Sequence, residues 1–314
     1  MLTIFYGCGQ NYIEVTDTVL RFCCDGQRVH IPAGDDTRAM LFSDPACGYL
    51  KDIVVIAGHN GSPTCSVYPH DIPVEMPLPA DVVRPVRVPS PAPTGPAEER
   101  IGQIHDQLHF VGGQLTDELP EQRMVVRYLN PNAKVLEIGS NIGRNTVMIA
   151  SLLADSANLV TMECDPASVK LLRCNRTAND FAFRIEPSAL SRRPLIQRVW
   201  ETIPSDVVLP GWNRVSTITF GELVAKYGLA FDTLVADCEG ALFYILQDEP
   251  TLLDGISTVI YEADHLSVEH KRSVEAEFTR HGLTRVYSEA LVPNWDNPFP
   301  PEVVASFFEV WIKG

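Results

Sequence analysis

Short apolar runs separated by turn residues fill the first 60 positions. Leu2–Tyr6, Tyr12–Val15, Arg28–Ile31 and Ile53–Ala57 are rich in β-branched and aromatic residues, which predicts strands. Asp25-Gly26 and Gly34-Asp35 supply turns between them. Beyond residue 100 the pattern changes. Lys134–Ile138, Leu159–Glu163, Phe183–Glu186, Thr233–Ala236 and Thr258–Glu262 read as strands buried on both faces. Helical segments such as Asn145–Leu153 and Ala167–Asn175 lie between most of them. This alternation predicts an α/β fold, an open and mostly parallel sheet with helices on both faces. Thr284–Ser288 and Ser306–Ile312, joined by a Pro-rich loop, fit an antiparallel pair closing one edge.

Proline divides the chain. Ten of its 24 prolines fall between Pro63 and Pro96. Proline removes a donor and fixes φ, so this stretch is expected to be an extended linker, or else a ligand for a proline-binding domain. The expected organisation is a β-rich module over 1–60, a linker over 61–99 and a larger domain over 100–314. Within the module, Tyr6-Gly7, Glu14-Val15-Thr16, Asp44-Pro45, Gly48 and Lys51 resemble the pattern of a small accessory β module, which implies no chemistry.

Composition narrows the function. The 314 residues are 45% hydrophobic and 21% charged, outside the disordered range and ample for two cores. Asp and Glu number 40 against 25 Lys and Arg, a net charge of −15, which disfavours nucleic acid and anionic membranes as partners. No apolar run approaches the ~20 residues that span a bilayer. The first residues lack a basic region and a small-residue cleavage site, so export is not expected. Eight cysteines form no CxxC pair, and free thiols in a reducing, cytoplasmic compartment are expected, in preference to a disulfide-stapled module outside the cell.

The strongest chemical signal is Val135-Leu136-Glu137-Ile138-Gly139-Ser140-Asn141-Ile142-Gly143-Arg144-Asn145-Thr146. A strand ends in a glycine turn that opens a helix, where ligands of such sheets sit. A dinucleotide site needs G-x-G-x-x-G, but Ser140-Asn141 follows Gly139, so the glycine that admits a pyrophosphate is missing. Arg144-Asn145 also excludes a GK[ST] phosphate loop. S-adenosylmethionine (SAM) has no phosphate, and its cationic amino-acid end suits carbonyls and the carboxylate of Glu137. Glu163, ending the next strand, can accept both hydroxyls of a ribose, a feature shared with dinucleotide folds.

These segments resemble the FkbM-type family of SAM-dependent methyltransferases over residues 101–313. The matching pieces are Leu136–Gly143, Glu163-Cys164-Asp165-Pro166, Asn175, Ser188-Ala189-Leu190-Ser191, Asp237-Cys238-Glu239-Gly240-Ala241 and Ile260-Tyr261-Glu262-Ala263-Asp264-His265. The resemblance implies a Rossmann-like seven-stranded methyltransferase sheet and methyl transfer to a hydroxyl oxygen, often of a sugar or natural product. It also implies that Glu163 holds the ribose and that Ser188-Ala189 lie beside the adenine. The expected cofactor contacts are therefore Glu137, Gly139, Ser140, Asn141, Gly143, Glu163, Ser188 and Ala189. Cys238 stands where a β-branched residue is more usual, and a small thiol fills such a position without redox work.

Asp237, Glu239, Glu262 and His265 are the expected catalytic residues. Methyl transfer from sulfonium to oxygen needs alignment and a deprotonated hydroxyl. The charge on sulfur is lost in the transition state, so these acids are expected to act on the acceptor or on a metal, not on the methyl. Glu239 could instead cap the following helix. Asp237, Glu262 and Asp264 could hold Mg2+ or Mn2+ and lower the acceptor's pKa; without metal, His265 would be the base. His105 and His109 stand four apart in a helix expected over Ile101–Phe110, as a lid or a metal pair. Trp200, Trp212 and Trp295 could stack on sugar rings or simply pack. An NAD-type oxidoreductase and a non-catalytic glycan-binding protein are the rival readings.

Overall fold

The computed structural model describes residues 2–59, 62–82, 94–199, 201–292 and 297–314, and these form two compact units. The first is drawn from the described residues of Met1–Ala92 together with Gln107–Gln114 and Lys170–Phe181. It contains β1 (Leu2–Cys8), β2 (Asn11–Glu14), α1 (Thr16–Phe22), β3 (Arg28–Ile31), α2 (Asp35–Phe42), β4 (Asp52–His59), β5 (Ser62–Tyr68) and β6 (Val74–Pro77). The order β2-β1-β4-β5 makes an antiparallel sheet, and β3 pairs with β6. The expected boundary at residue 60 is thus corrected: strands continue to Pro77 within the stretch read as linker. The prolines permit this because β5 is an edge strand and Pro77 sits at the end of a two-stranded ladder. The densest proline run, 83–93, lies outside the described residues.

Buried polar contacts tie the module together. Lys51 is 1% exposed, and its Nζ reaches Asp35 Oδ2 at 2.9 Å and Asp44 Oδ1 at 3.0 Å, and donates to the Tyr49 carbonyl at 2.7 Å. The Tyr6 hydroxyl donates to Asp35 Oδ1 at 2.9 Å, and Ile4 N–H donates to Thr16 Oγ1 at 2.9 Å. A buried charge is tolerable only when paired in this way.

The second unit is drawn from the described residues of Pro93–Asp106, Leu115–Val169 and Ala182–Gly314. In chain order it contains α3 (Ala97–His105), a 3-10 turn (Leu115–Glu118), α4 (Leu119–Tyr128), β7 (Val135–Ile138), α5 (Arg144–Leu152), β8 (Leu159–Met162) and the start of α6 (Pro166–Ala178). Next come β9 (Arg184–Glu186), β10 (Ala189–Leu190), β11 (Leu195–Arg198), β12 (Glu201–Pro204), β13 (Asn213–Val215), β14 (Thr217–Ile218) and α7 (Phe220–Tyr227). It closes with β15 (Thr233–Ala236), α8 (Leu242–Asp248), β16 (Thr258–Glu262), α9 (Val268–Arg280), β17 (Leu283–Glu289), α10 (Pro301–Val304) and β18 (Phe308–Lys313).

Seven strands form one sheet in the order β17-β18-β16-β15-β7-β8-β9. The five from β16 to β9 are parallel, and β17 and β18 add the antiparallel edge. The expected Rossmann-like architecture is therefore present. All residues of β7, β8 and β15 are buried, as both-face coverage by helices requires. From β7 the chain winds outward to β8 and β9, then returns to place β15 on β7's other side. That reversal makes the carboxyl ends of β7 and β15 a switch point, where a crevice opens.

Candidate active site

The turn after β7 is shaped by close backbone approaches. Gly139 has φ +87°, and a Cβ there would sit 1.5 Å from the Asp237 carbonyl oxygen. The N–H groups of Gly139 and Ser140 both donate to the Met162 carbonyl at 3.1 Å, which suspends the turn from the end of β8. Asn141 (φ 49°) and Gly143 (φ 96°) complete it, with Gly143 as the N-cap of α5. Asparagine is among the few residues besides glycine that tolerate this region.

Glu163 ties the turn to the next loop. Its Oε2 accepts the Asn141 N–H and its Oε1 the Asp165 N–H, both at 2.7 Å. Beside it opens a cleft of about 1050 Å³ including its solvent-open mouth. Gly139, Asn141, Glu163, Ser188 and Ala189 line it, together with Asp237, Glu239, Tyr244 and Asp248. Arg193 lies at the rim, paired with Asp248 at 2.8 Å and over the Tyr244 ring at 5.6 Å. The small antiparallel sheet β12-β11-β13 lies beside the cleft, and Leu195, Gln197, Thr202 and Pro204 bring that sheet to it.

The N-terminus of α5 is already occupied. Glu118 Oε2 accepts the Asn145 N–H at 3.1 Å, and Oε1 lies 3.4 Å from Arg144 Nη1. Burial and the nearby Glu121 push Glu118 up to about 7. An internal carboxylate thus takes the helix-end position that would attract a phosphate.

Three expected cofactor contacts lie elsewhere. Ser140 and Gly143 shape the turn without lining the cleft. Glu137 is 2% exposed and faces inward, where its Oε2 accepts hydroxyls from Thr161 at 2.6 Å and Thr146 at 2.7 Å. Burial outweighs those bonds and raises Glu137 to about 7. Between its ordinary value of 4.5 and that level, the folded chain holds a proton that the unfolded chain has lost. Glu137 therefore contributes stability that declines as pH rises through this window. Glu137→Gln removes the charge, so thermal unfolding should show the variant gaining on the wild type by up to about 3 kcal/mol between pH 5 and pH 8. An equal difference at both pH values would show that Glu137 does not titrate there.

The acids at the ends of β15 and β16 assemble differently from the expected trio. Carboxylate oxygens of Asp237, Glu262 and Glu121 lie within 4.8 Å of one another. Asp264 instead turns to the loop after Asp237, and its Oδ1 accepts the Gly240 N–H at 2.8 Å. Glu121 was missed because an acid in the first turn of a helix reads as a partner for the helix dipole. His265 is also displaced from its expected role as base. It is 1% exposed, contacts the Tyr261 hydroxyl through Nε2, and is lowered to about 4 chiefly by burial. Glu239 (φ 53°) is exposed and lines the cleft. Its left-handed backbone is a strained conformation of the kind found at functional turns.

Of the remaining candidates, His105, His109 and Trp212 make contacts away from the cleft. The helix expected over Ile101–Phe110 ends at His105, so His109 does not share its face. His105 Nε2 contacts Gln122 Oε1 at 2.8 Å, and His109 meets Arg21 within the first unit. Trp212 packs under the Arg198 guanidinium at 4.8 Å. Trp200 and Trp295 lie outside the described residues.

No family model matches this chain, and neither does any curated protein. Solved structures with a similar fold include an O-methyltransferase from Bacillus cereus in complex with SAH, which is 12% identical. The match covers 70% of this chain and 92% of that one with a TM-score of 0.35. An O-methyltransferase of tomaymycin synthesis from Streptomyces achromogenes, in complex with SAM, is also 12% identical, covering 71% and 92% with a TM-score of 0.35. At this distance the likeness assigns no function.

Proposed function

We propose that this chain transfers a methyl group from SAM to a hydroxyl oxygen of a small acceptor, a sugar or glycan in particular. One observation carries the reading: the cleft is built for positive charge. Among the described residues, Glu163, Asp165, Asp237, Glu239 and Asp248 line it against one basic side chain, Arg193. The seat that would take a pyrophosphate is filled by Glu118. Such a cleft attracts a sulfonium nucleoside carrying an ammonium group and repels a diphosphate.

SAM supplies a methyl carbon on cationic sulfur, which departs as a neutral thioether. The chain's own residues do the rest. Glu163 keeps lone pairs beyond its two amide bonds, which suit the ribose hydroxyls. The family resemblance puts Ser188 and Ala189 beside the adenine. Asp237 takes the proton from the acceptor hydroxyl as the oxygen–carbon bond forms and the carbon–sulfur bond breaks. Burial and the surrounding acids raise its proton affinity, as a base working near neutrality requires. Tyr244, 42% exposed at the rim, offers an aromatic surface to a sugar ring.

The net charge of −15 favours a small acceptor over nucleic acid. All eight cysteines are free, which suits a reducing, cytoplasmic setting. No described helix is long and apolar enough to cross a membrane.

Calorimetry with S-adenosylhomocysteine (SAH) and with NAD separates this reading from a dehydrogenase, and a labelled-methyl assay over a glycan panel separates it from a binding protein. SAH should bind, NAD should not, and label should enter an acceptor. Tight NAD binding without a response to SAH would overturn the proposal.

A further inference from the structure

We propose that Glu121, Asp237 and Glu262 form a binding site for a divalent cation of the Mg2+ or Mn2+ type at the edge of the cleft. One oxygen from each carboxylate lies within 4.8 Å of the other two, a spacing that a hard cation with metal–oxygen distances of about 2.0–2.6 Å can bridge. The fold creates this convergence. Ala236 pairs with Tyr261 in the parallel ladder, so the next residues, Asp237 and Glu262, stand side by side at the strand ends. Glu121 arrives from the first turn of α4, which packs against β16.

A second observation points to a ligand. Glu121 is 8% exposed, yet its Oε2 has no hydrogen-bond partner. A buried acceptor left in that state is unfavourable unless something else meets it. The largest charges acting on Asp237 come from Asp264, Glu118, Glu121 and Glu239, all acids, and of these Glu118 is met by Arg144 at 3.4 Å. Shared protons or a metal ion would relieve the repulsion among Glu121, Asp237 and Glu262. Glu121 and Glu262 are close enough to share a proton, but that pairing leaves the third carboxylate unexplained. A cation satisfies all three. Asp237 lines the cleft, so the ion's remaining positions would be open to water or to acceptor oxygens. Its use in lowering the acceptor's pKa rests on the methyl-transfer reading; its binding does not.

The test is a Mn2+ titration of the full chain, followed by calorimetry and by loss of the free-Mn2+ paramagnetic resonance signal. SAH is titrated in parallel, and Glu121→Gln and Glu262→Gln are compared with the wild type. One Mn2+ per chain is expected in the wild type. Loss of an outer-shell partner already costs 10–100-fold in metal affinity, so removing a direct ligand should weaken binding by about 100-fold or more. No saturable Mn2+ binding by the folded wild type overturns the site, whatever the variants do. So does undiminished affinity in both variants, which would leave the cluster as proton-sharing acids. Should Glu121→Gln fail to fold, the wild-type isotherm and Glu262→Gln still decide. SAH binding without Mn2+ binding removes the cation alone; Mn2+ binding without SAH binding removes the methyl-transfer reading alone.

Discussion

Gly139→Ala should abolish SAH binding and lower stability by about 3 kcal/mol or more, because two penalties coincide at one position. The residue sits at φ +87°, where an L side chain is strained, and its Cβ would fall 1.5 Å from the Asp237 carbonyl oxygen. The obstacle is backbone from the adjoining strand end, so no rotamer change relieves it. Either β7 and β15 part at their carboxyl ends or the turn unhooks from Met162, and both outcomes disorganise the cleft. Thermal unfolding and SAH calorimetry on the same preparation check this. A variant melting within a degree or two of the wild type and binding SAH normally would show that the turn is not held as described.

Asp237→Asn should reduce turnover by about 10²- to 10⁴-fold, the usual contribution of a positioned base. The loss should fall on kcat, with SAH affinity changed only a few-fold. Unfolding cannot mimic this result. The native environment disfavours the Asp237 charge, so an amide relieves repulsion from Asp264, Glu118 and Glu121 and should leave the melting temperature equal or higher. Unchanged turnover in Asp237→Asn would mean that another group removes the proton.

What the sequence made legible was set by local rules. The strand, turn and helix around Gly139 announce themselves because a buried run must end, a glycine must follow where backbones meet, and a helix must begin. Glu163 and Asp237 were readable for the same reason, as acids at the carboxyl ends of parallel strands. The parts that escaped depend on non-local packing. Nothing near Glu118 or Glu121 indicates that their carboxylates turn toward α5 and the ends of β15 and β16. Glu137 looked like a ligand from its place in the motif, but Thr146 and Thr161 hold it inward. His265 looked like a base from its type, yet its place under Gly240, with the Tyr261 hydroxyl on Nε2, keeps it from the cleft. The prolines of 63–77 suggested a linker because composition does not reveal which strands lie at an edge.

The carboxylate of Glu118 at the head of α5 bears on selectivity. On the methyl-transfer reading, nucleoside triphosphates and nicotinamide coenzymes share adenosine with the proposed cofactor, and contacts to adenine and ribose alone would not turn them away. With Glu118 bonded at the head of α5, a phosphorylated ligand would have to displace an acid before it could settle there.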